Sequence, residues 1–238
     1  MTVMHNVNRV SEAFLTEVVP VERGRLRVVV ATILINVVAV ALLTRVSWSD
    51  WRTGVALNLI DNTLLLGFVV VHRDRVLARL MIFGLAVGFA ELVADAWLVD
   101  FTHTLDYSPG GGPMLWRSPL WMPFAWEVVT VQLSYLGLWL WQRYGSGVGL
   151  LLVGVLGAIN IPYYEEMARR IHWWSYSGSR MLLHTPWYII VGEFGIAIVL
   201  TVLARLLPVR GTMPVIALGL VGGAGIFVCY ALAYLAIT

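Results

Sequence analysis

Long apolar segments separated by short polar ones make up most of this chain. A membrane-spanning helix needs about 20 mostly apolar residues. Seven segments meet that length, at about residues 28–46, 53–72, 78–101, 119–142, 147–166, 184–206 and 213–237. They leave no room for a separate soluble domain. The pattern predicts a single membrane domain over residues 1–238, an all-α integral membrane protein built as a seven-helix bundle.

The composition supports this prediction and excludes several classes of protein. The chain is 59% hydrophobic and only 13% charged, whereas soluble domains are nearer 45–50% and 25%. A soluble domain, a disordered chain and a nucleic-acid-binding protein are therefore excluded. All sixteen basic residues are Arg, so the Lys that a retinal Schiff base requires is missing and opsin chemistry is excluded. The single cysteine, Cys229, excludes an intrachain disulfide and a cysteine-based metal cluster.

The placement of arginine predicts how the chain is oriented. With the N-terminus inside, the inner segments hold ten Arg and the outer segments hold six, and the inner side of a membrane protein is normally the richer in Arg. The polar first 26 residues, which include Arg9, lead into a long apolar run without a small-residue cleavage site. We expect an uncleaved, multi-pass protein of a bacterial inner membrane or the endoplasmic reticulum.

Two connections on the predicted outer side are long. Residues 102–118 contain a glycine-rich turn at 109–113, and residues 167–183 are rich in Trp, Tyr, Arg and His. Long loops gathered on one face usually carry function. We therefore expect the working face of the protein to be the outer one.

Several carboxylic acids lie inside the predicted spans, and we single out four of them: Glu91, Asp95, Glu127 and Glu193. A charged side chain at the centre of a bilayer costs a few kcal/mol, so it marks a functional site by default. At about 1.5 Å per residue, all four lie roughly 9 to 15 Å below the outer ends of their spans. No Lys or Arg lies at that depth to pair with them. A carboxyl group that stays neutral can act as a general acid, and we expect these four to be catalytic and to line one cavity.

Further polar residues fall at a similar depth. Asn58, Asp61 and Asn62 share one face of span two, and Asn160 and Tyr164 share one face of span five. A polar stripe on a membrane helix must face protein or a wet cavity. Hydrogen bonding between helices is the competing explanation. We expect Asp61, Asn160 and Tyr164 to contact a substrate, and spans one and seven to contribute no polar group at this depth.

Aromatic side chains surround the predicted acids. Their faces stabilise cations, although Trp and Tyr belts at the membrane interface are also normal. Acids inside aromatic walls suit chemistry that protonates a hydrocarbon and shelters the resulting carbocation. The aromatic residues are Trp97, Trp121, Trp126, Tyr135, Trp173, Trp174, Tyr176, Trp187 and Tyr188.

The third span resembles a known family. Residues 88–97, Gly-Phe-Ala-Glu-Leu-Val-Ala-Asp-Ala-Trp, are similar to the Gly-Phe-x-His-Leu-Val-x-Glu-x-Trp stretch of the EXPERA family, which includes emopamil-binding protein and its sterol Δ8–Δ7 isomerase activity. Residues 127–130, Glu-Val-Val-Thr, resemble that family's Glu-x-x-Thr. Residues 184–188, His-Thr-Pro-Trp-Tyr, resemble its His-Pro-x-Tyr helix start. The order of these motifs resembles the family's five-helix core over spans two to six, with spans one and seven as additions.

The resemblance implies an acid–base reaction on a lipid alkene without a cofactor. The family's His falls on Glu91, its first Glu on Asp95 and its second Glu on Glu127, while Glu193 lies nearest to an Asn of its last core helix. The change of His to Glu makes the site more acidic. It favours protonation of an alkene or epoxide followed by rearrangement or cyclisation, the logic of integral-membrane terpene cyclases. The further substrate contacts that we predict are Trp97, Trp126, Thr130, His184, Trp187 and Tyr188.

Two other classes of function compete with this hypothesis. His103, His172 and His184 lie on the predicted outer face, and three His with a carboxylate could hold zinc for a lipid hydrolase. No His-x-x-x-His pair is present, however, so we predict no metal. A non-catalytic lipid-binding or scaffold protein is the second alternative, and Gly219-x-x-x-Gly223 in span seven is a packing or homodimer motif.

Overall fold

Six long helices form the protein, for which the computed structural model describes residues 19–110, 112–208 and 210–238. Each is long and apolar enough to cross a membrane. The all-helical class is confirmed, and the chain is compatible with a multi-pass membrane protein. The helices are α1 (Val19–Leu43), α2 (Trp51–His72), α3 (Arg75–Asp100), α4 (Met122–Ile171), α5 (Trp187–Arg205) and α6 (Met213–Ile237).

Short polar residues set several helix boundaries. The carboxylate of Asp50 accepts a hydrogen bond from the backbone N–H of Arg52 at the start of α2, and that of Asp74 accepts one from Leu77 at the start of α3. Both are N-caps of the usual kind. Helix α1 begins well before the predicted residue 28. Residues 1–18, with Arg9, lie outside the described residues.

Helix α4 contains two of the predicted spans. A straight helix of its 50 residues would measure about 75 Å, more than twice the roughly 30 Å of a hydrocarbon core. At Gly145 the backbone leaves helical geometry, with φ 80° and ψ 170°. A Cβ placed on Gly149 would lie 2.5 Å from the Cα of Trp141, although eight helical residues span about 12 Å. The two halves of α4 therefore fold back on one another.

The connections gather at the two ends of the bundle. At one end, the indole N–H of Trp173 donates to the backbone carbonyl of Asp50 at 2.9 Å. We call this the loop end; it carries residues 44–50, 101–110, 112–121 and 172–186. At the opposite end, the buried guanidinium of Arg25 pairs with the carboxylate of Asp74 at 2.8 Å, which fixes α1 to the start of α3.

In the part of the chain that the structure describes, three short antiparallel strand pairs lie at the loop end. One pair joins the two long connections, because β1 (Leu105–Asp106) pairs with β4 (Ser175–Tyr176). The others are local: β2 (Met114–Leu115) with β3 (Ser118–Pro119), and β5 (Met181–Leu182) with β6 (Thr185–Pro186). The long connections thus form one layer over the helix ends.

Helix α6 is part of the core and packs on α3 and α5. A Cβ on Gly219 would lie 2.7 Å from the carbonyl oxygen of Phe83, and one on Gly223 would lie 2.9 Å from the backbone nitrogen of Glu91. The Gly219-x-x-x-Gly223 pair is therefore used within the chain, against α3. The expectation that the last span contributes no polar group at the depth of the acids is wrong, because α6 supplies Tyr230, whose hydroxyl donates a hydrogen bond to Glu193.

Candidate functional site

A cavity of about 250 Å³ is lined by residues of α1, α2 and both halves of α4, together with residues of α3, α5 and α6. Its walls are mainly apolar and aromatic, as in sites for small hydrophobic molecules. Side chains such as Ile33, Leu57 and Leu133 supply the apolar surface. The layer of long connections contributes Tyr107, Trp173, Trp174 and Tyr176 at the loop end.

Among the described residues, four buried carboxylic acids line this cavity, and three of them lie near the loop end: Asp95 on α3, Glu165 on α4 and Glu193 on α5. We call these three the acid cluster. Counted from the loop end of each helix, all three lie at a depth of about 8 to 9 Å. Three different helices therefore bring acids to one level. This depth agrees with the one expected for Asp95, whereas Glu193 lies nearer to the loop end than expected, because α5 begins at Trp187.

The acid on α3 is held by two hydroxyl groups from the loop layer. Oδ2 of Asp95 accepts hydrogen bonds from the hydroxyls of Tyr107, at 2.7 Å, and Ser118, at 2.6 Å. Tyr107 directly follows β1, whose pairing with β4 holds it over the cavity. Burial, together with the nearby carboxyl of Asp95, raises the pKa of Tyr107. The phenol therefore stays protonated and continues to donate its hydrogen bond to Asp95.

Each of the other two acids accepts a hydrogen bond from one side chain. The hydroxyl of Tyr230, on α6, donates to Oε1 of Glu193 at 2.5 Å. The indole N–H of Trp174 donates to Oε2 of Glu165 at 2.5 Å. Each carboxyl of the acid cluster is thus oriented by a neutral donor. Among the described residues, Asp95, Glu165 and Glu193 form no ion pair.

Glu91 lies one helical turn from Asp95 and is fully buried. Neither of its carboxylate oxygens has a partner with good hydrogen-bond geometry among the described residues. Asp95, Glu193 and Trp126 are nonetheless close enough to interact with it electrostatically. Glu91 does not line the cavity. It lies close to Asp95 and Glu193, which do line the cavity.

Glu127 lies in the interface between α3 and α4. It is buried, and a Cβ on Gly84 of α3 would be 2.7 Å from its backbone oxygen. Thr130, one turn further along, is also fully buried. Neither residue is part of the cavity wall. The expectation that all four predicted acids line one cavity is therefore wrong for Glu91 and Glu127.

Aromatic rings enclose the cavity near the acid cluster. Trp121, Trp126, Trp173 and Trp174 all line it. The ring centroids of Trp121 and Trp173 are 5.4 Å apart, and those of Trp173 and Trp174 are 5.9 Å apart. Trp121, Trp173 and Trp174 therefore form a continuous aromatic wall. Trp97, in contrast, packs away from the cavity.

The predicted contacts Trp97, His184, Trp187 and Tyr188 lie outside the cavity wall. Trp97 packs edge-on against Phe227 and Tyr234 of α6. His184 is bound to the carboxylate of Glu166 at 2.5 Å, and Trp187 is exposed. The hydroxyl of Tyr188 bonds to that of Thr104 at 2.5 Å. Motif position alone does not tell which way these side chains face.

Asp61, Asn160 and Tyr164 do line the cavity, as expected of substrate contacts. Asp61 is buried and accepts a 2.7 Å hydrogen bond from Asn36 of α1. Helix α1 therefore does contribute a polar group, contrary to the expectation. Tyr164 lies within electrostatic range of Asp61.

Several residues of the site were not predicted to act there: Asn36, Tyr107, Ser118, Glu165 and Tyr230. Glu165 carried a usable signal, because it is a carboxyl group inside a predicted span. The others are ordinary polar residues whose role depends on contacts between distant segments. The sequence contained no local signal for them.

The three histidines of the competing zinc hypothesis serve other purposes. His103, with φ 55°, and His172, with φ 63°, occupy left-handed positions just after α3 and α4, while His184 pairs with Glu166. Within the described ranges, no three His, Cys, Asp or Glu residues are grouped so that they could hold a metal ion. No observation here favours the hydrolase.

Comparison with known families places most of this site in one recognisable unit. The family model for a domain of unknown function (DUF6989) matches residues 92–237, more than half of the chain. The chain belongs to the DUF6989 family. No curated protein and no solved structure matches it. The DUF6989 segment contains the whole acid cluster and both long connections, whereas Asn36, Asp61 and Glu91 precede it.

Proposed function

We propose that this DUF6989 protein is an integral-membrane enzyme that isomerises or cyclises a hydrophobic isoprenoid or sterol-like lipid by carboxylate acid–base chemistry. The observation that supports the proposal best is the acid cluster itself. Three buried carboxyls, each with a neutral donor, line an apolar cavity walled by tryptophan. Such a cavity suits a hydrocarbon and offers it acids rather than cations.

The proposal includes a membrane arrangement with seven crossings. Both halves of α4 would cross separately, because the chain reverses at Gly145. The cavity would then lie in the half of the bilayer next to the loop end, which we propose to be the outer side. A substrate would enter from the lipid between α1, α2 and α4, which supply most of the residues that line the cavity.

Asp95 is the proposed proton donor. Its Oδ2 already accepts two hydrogen bonds, so Oδ1 is the oxygen that would carry the proton. The O–H bond breaks, and the π electrons of a substrate alkene form the new C–H bond, which leaves a carbocation. A second alkene then attacks the cation to form a ring, or a neighbouring C–H bond supplies electrons to form a shifted alkene.

Glu193 and Glu165 are the proposed proton acceptors. A carboxylate of this pair takes the proton lost by the final cation, so the reaction consumes no net proton. The proton must then return to Asp95. Glu91, which is buried and close to both Asp95 and Glu193, would relay it. The tryptophan wall would stabilise the cation in the meantime.

The EXPERA resemblance remains part of this proposal. Asp95 fits the acid that the resemblance assigns to it, whereas Glu91 would act behind the cavity and not on the substrate. Glu127 and Thr130, in the α3–α4 interface, would contribute to packing. A non-catalytic lipid-binding protein is the alternative that the same cavity supports.

Deuterium incorporation separates the enzyme from a binding protein. Purified protein in lipid nanodiscs is incubated in D₂O with a panel of linear isoprenoids, their terminal epoxides and unsaturated sterols, and the lipids are analysed by mass spectrometry. An enzyme of this kind forms a new C–D bond and releases a proton, so the product is an isomer about one mass unit heavier. A binding protein leaves every substrate unlabelled. Asp95→Asn is the matched control.

A further inference from the structure

A second polar group of residues lies in the same cavity, away from the acid cluster. Asn36 comes from α1, Asn58 and Asp61 from α2, and Asn160 and Tyr164 from the second half of α4. We call these five the amide cluster, because three of them carry amides. It lies where α1, α2 and the second half of α4 line the cavity.

Asp61 is the centre of the amide cluster. Its side chain is 1% exposed. Oδ2 accepts the hydrogen bond from Asn36 at 2.7 Å, while Oδ1 is buried and has no partner among the described residues. A buried carboxyl oxygen without a donor is costly in free energy. The arrangement therefore suits a ligand that brings its own O–H donor to Oδ1.

The charges around the cavity limit the kind of ligand. Among the described residues that line it, there is no Arg, Lys or His. Four carboxyls face it instead: Asp61, Asp95, Glu165 and Glu193. A phosphate, diphosphate or carboxylate head group would meet these acids with no cation to balance it. A neutral hydroxyl can both donate to Asp61 and accept from an amide such as Asn160.

Asp61 and Asn160 lie deeper in the bundle than the acid cluster. They are about 15 to 17 Å from the loop ends of their helices, compared with about 8 to 9 Å for the acid cluster, while Asn36 and Tyr164 are at about 10 to 11 Å. Asp61 lies on α2 and Asp95 on α3, so the clusters also occupy different walls. A ligand held at Asp61 would extend its hydrocarbon part towards Asp95.

We propose that Asp61, with Asn36, binds the hydroxyl group of a neutral isoprenoid alcohol or phenol and so sets which carbon reaches Asp95. This inference rests on the proposed function, since it names the substrate class for that cavity. It concerns binding, however, and does not require turnover. If no deuterated product ever forms but the alcohol preference below is found, only the catalytic proposal fails.

Tryptophan fluorescence provides a binding assay, because four tryptophans line the cavity. Geranylgeraniol, its methyl ether, its monophosphate and geranylgeranylamine share one hydrocarbon chain and differ only in the head group. They are titrated into the wild-type protein in nanodiscs. A hydrogen bond to a carboxylate is strong enough for the alcohol to bind about tenfold tighter than the ether. Equal binding of the ether, or tighter binding of the phosphate or the amine, overturns the proposal.

Two variants assign the preference to this residue. Asp61→Ala should reduce the ratio of alcohol to ether affinity to less than about twofold, because the acceptor is gone. Asn62→Ala is the matched control: Asn62 is the next residue of α2, does not line the cavity and should keep the full preference. A preference that survives Asp61→Ala contradicts the proposal. If Asp61→Ala does not fold, Asp61→Leu and the wild-type ligand series provide the same decision.

Discussion

The hydroxyl of Tyr107 donates a 2.7 Å hydrogen bond to Oδ2 of Asp95. This contact joins a residue of the loop layer to an acid of a membrane helix. The ring of Tyr107 also packs edge-on against Trp174, at 6.0 Å between centroids, and Trp174 in turn donates to Glu165. The loop layer therefore orients Asp95 and Glu165, two of the three acids of the acid cluster. The orientation of these two carboxyls depends on the folding of the loop layer.

Asp95→Asn should abolish product formation and leave the protein folded. The amide oxygen can still accept from Tyr107 and Ser118, but the amide cannot donate and recover a proton. Turnover should fall by at least the ~10²–10⁴ typical of a general acid. Glu91→Gln should be nearly as damaging if Glu91 relays the proton. The measurements are deuterated product and a melting curve for both variants.

Glu127→Gln is the matched control for that pair. It removes a buried acid of the neighbouring helix that does not line the cavity, so it should keep most of the activity. Near-normal turnover by Asp95→Asn and Glu91→Gln would contradict the acid–base mechanism. Unfolding of both would instead mean that these carboxyls hold the helices together.

Tyr107→Phe should weaken the loss of stability at alkaline pH. Burial raises the pKa of Tyr107 in the folded protein, whereas an unfolded tyrosine titrates near its ordinary value of about 10. The buried, neutral phenol therefore contributes its full stabilisation of the folded protein below that value, and this stabilisation is lost as the pH rises above it. Tyr107→Phe lacks the phenol that titrates, so its melting temperature should fall less than that of the wild type between pH 9 and pH 11 (about one unit on either side of that value).

Tyr144→Phe is the control, because Tyr144 is half exposed beside the Gly145 turn. It should show the same alkaline loss as the wild type. Tyr176, whose pKa is also raised by burial and by the nearby Glu165, should retain part of the effect in Tyr107→Phe. An unchanged alkaline slope in Tyr107→Phe would mean that this tyrosine is not buried against Asp95.

The helices themselves could be predicted from the sequence because membrane-spanning length depends only on local apolar composition. The acids Asp95 and Glu193 could also be predicted, since a carboxyl inside such a segment is unusual wherever it points. The reversal at Gly145 fell between two predicted spans for the same reason. These predictions required no knowledge of which helices are neighbours.

The direction in which each acid faces could not be predicted. Glu91 and Asp95 are one turn apart, yet only Asp95 reaches the cavity, because Gly84 and Gly223 bring α4 and α6 against different sides of α3. Partners such as Tyr230, 37 residues from Glu193 in sequence, depend on the same packing. Spacing along one helix gives its faces but does not identify what covers them.

Tyr230→Phe should lower turnover more than Tyr234→Phe. Both tyrosines lie on α6, but only Tyr230 donates to Glu193, while Tyr234 packs its ring on Trp97 and Tyr188. Loss of a hydrogen bond to a buried carboxyl should cost about 1–3 kcal/mol of stability. Activity and melting temperature are measured for both. A larger effect of Tyr234→Phe on activity would remove Glu193 from the proposed acceptors.

Gly223→Ala should destabilise the protein, and Gly67→Ala should stabilise it. A Cβ on Gly223 would overlap the Cβ of Ala90 and lie 2.9 Å from the backbone nitrogen of Glu91. Helix α6 would have to move away from α3, at a cost of about 1–3 kcal/mol. A Cβ on Gly67, in α2, meets nothing within 4 Å, so alanine there should gain about 0.5–1 kcal/mol from its better helix propensity.

Gly223→Ala also distinguishes packing within the chain from packing between chains. Because the Gly219-x-x-x-Gly223 face is covered by α3, Gly223→Ala should lower the melting temperature in detergent and leave the mass of the particle unchanged. Size-exclusion chromatography with light scattering measures that mass. If Gly223→Ala instead converts a dimer to a monomer while the melting temperature stays with the wild type, the glycine face joins two copies. The contact of α6 with α3, and with it the placement of Tyr230 on Glu193, would then be wrong.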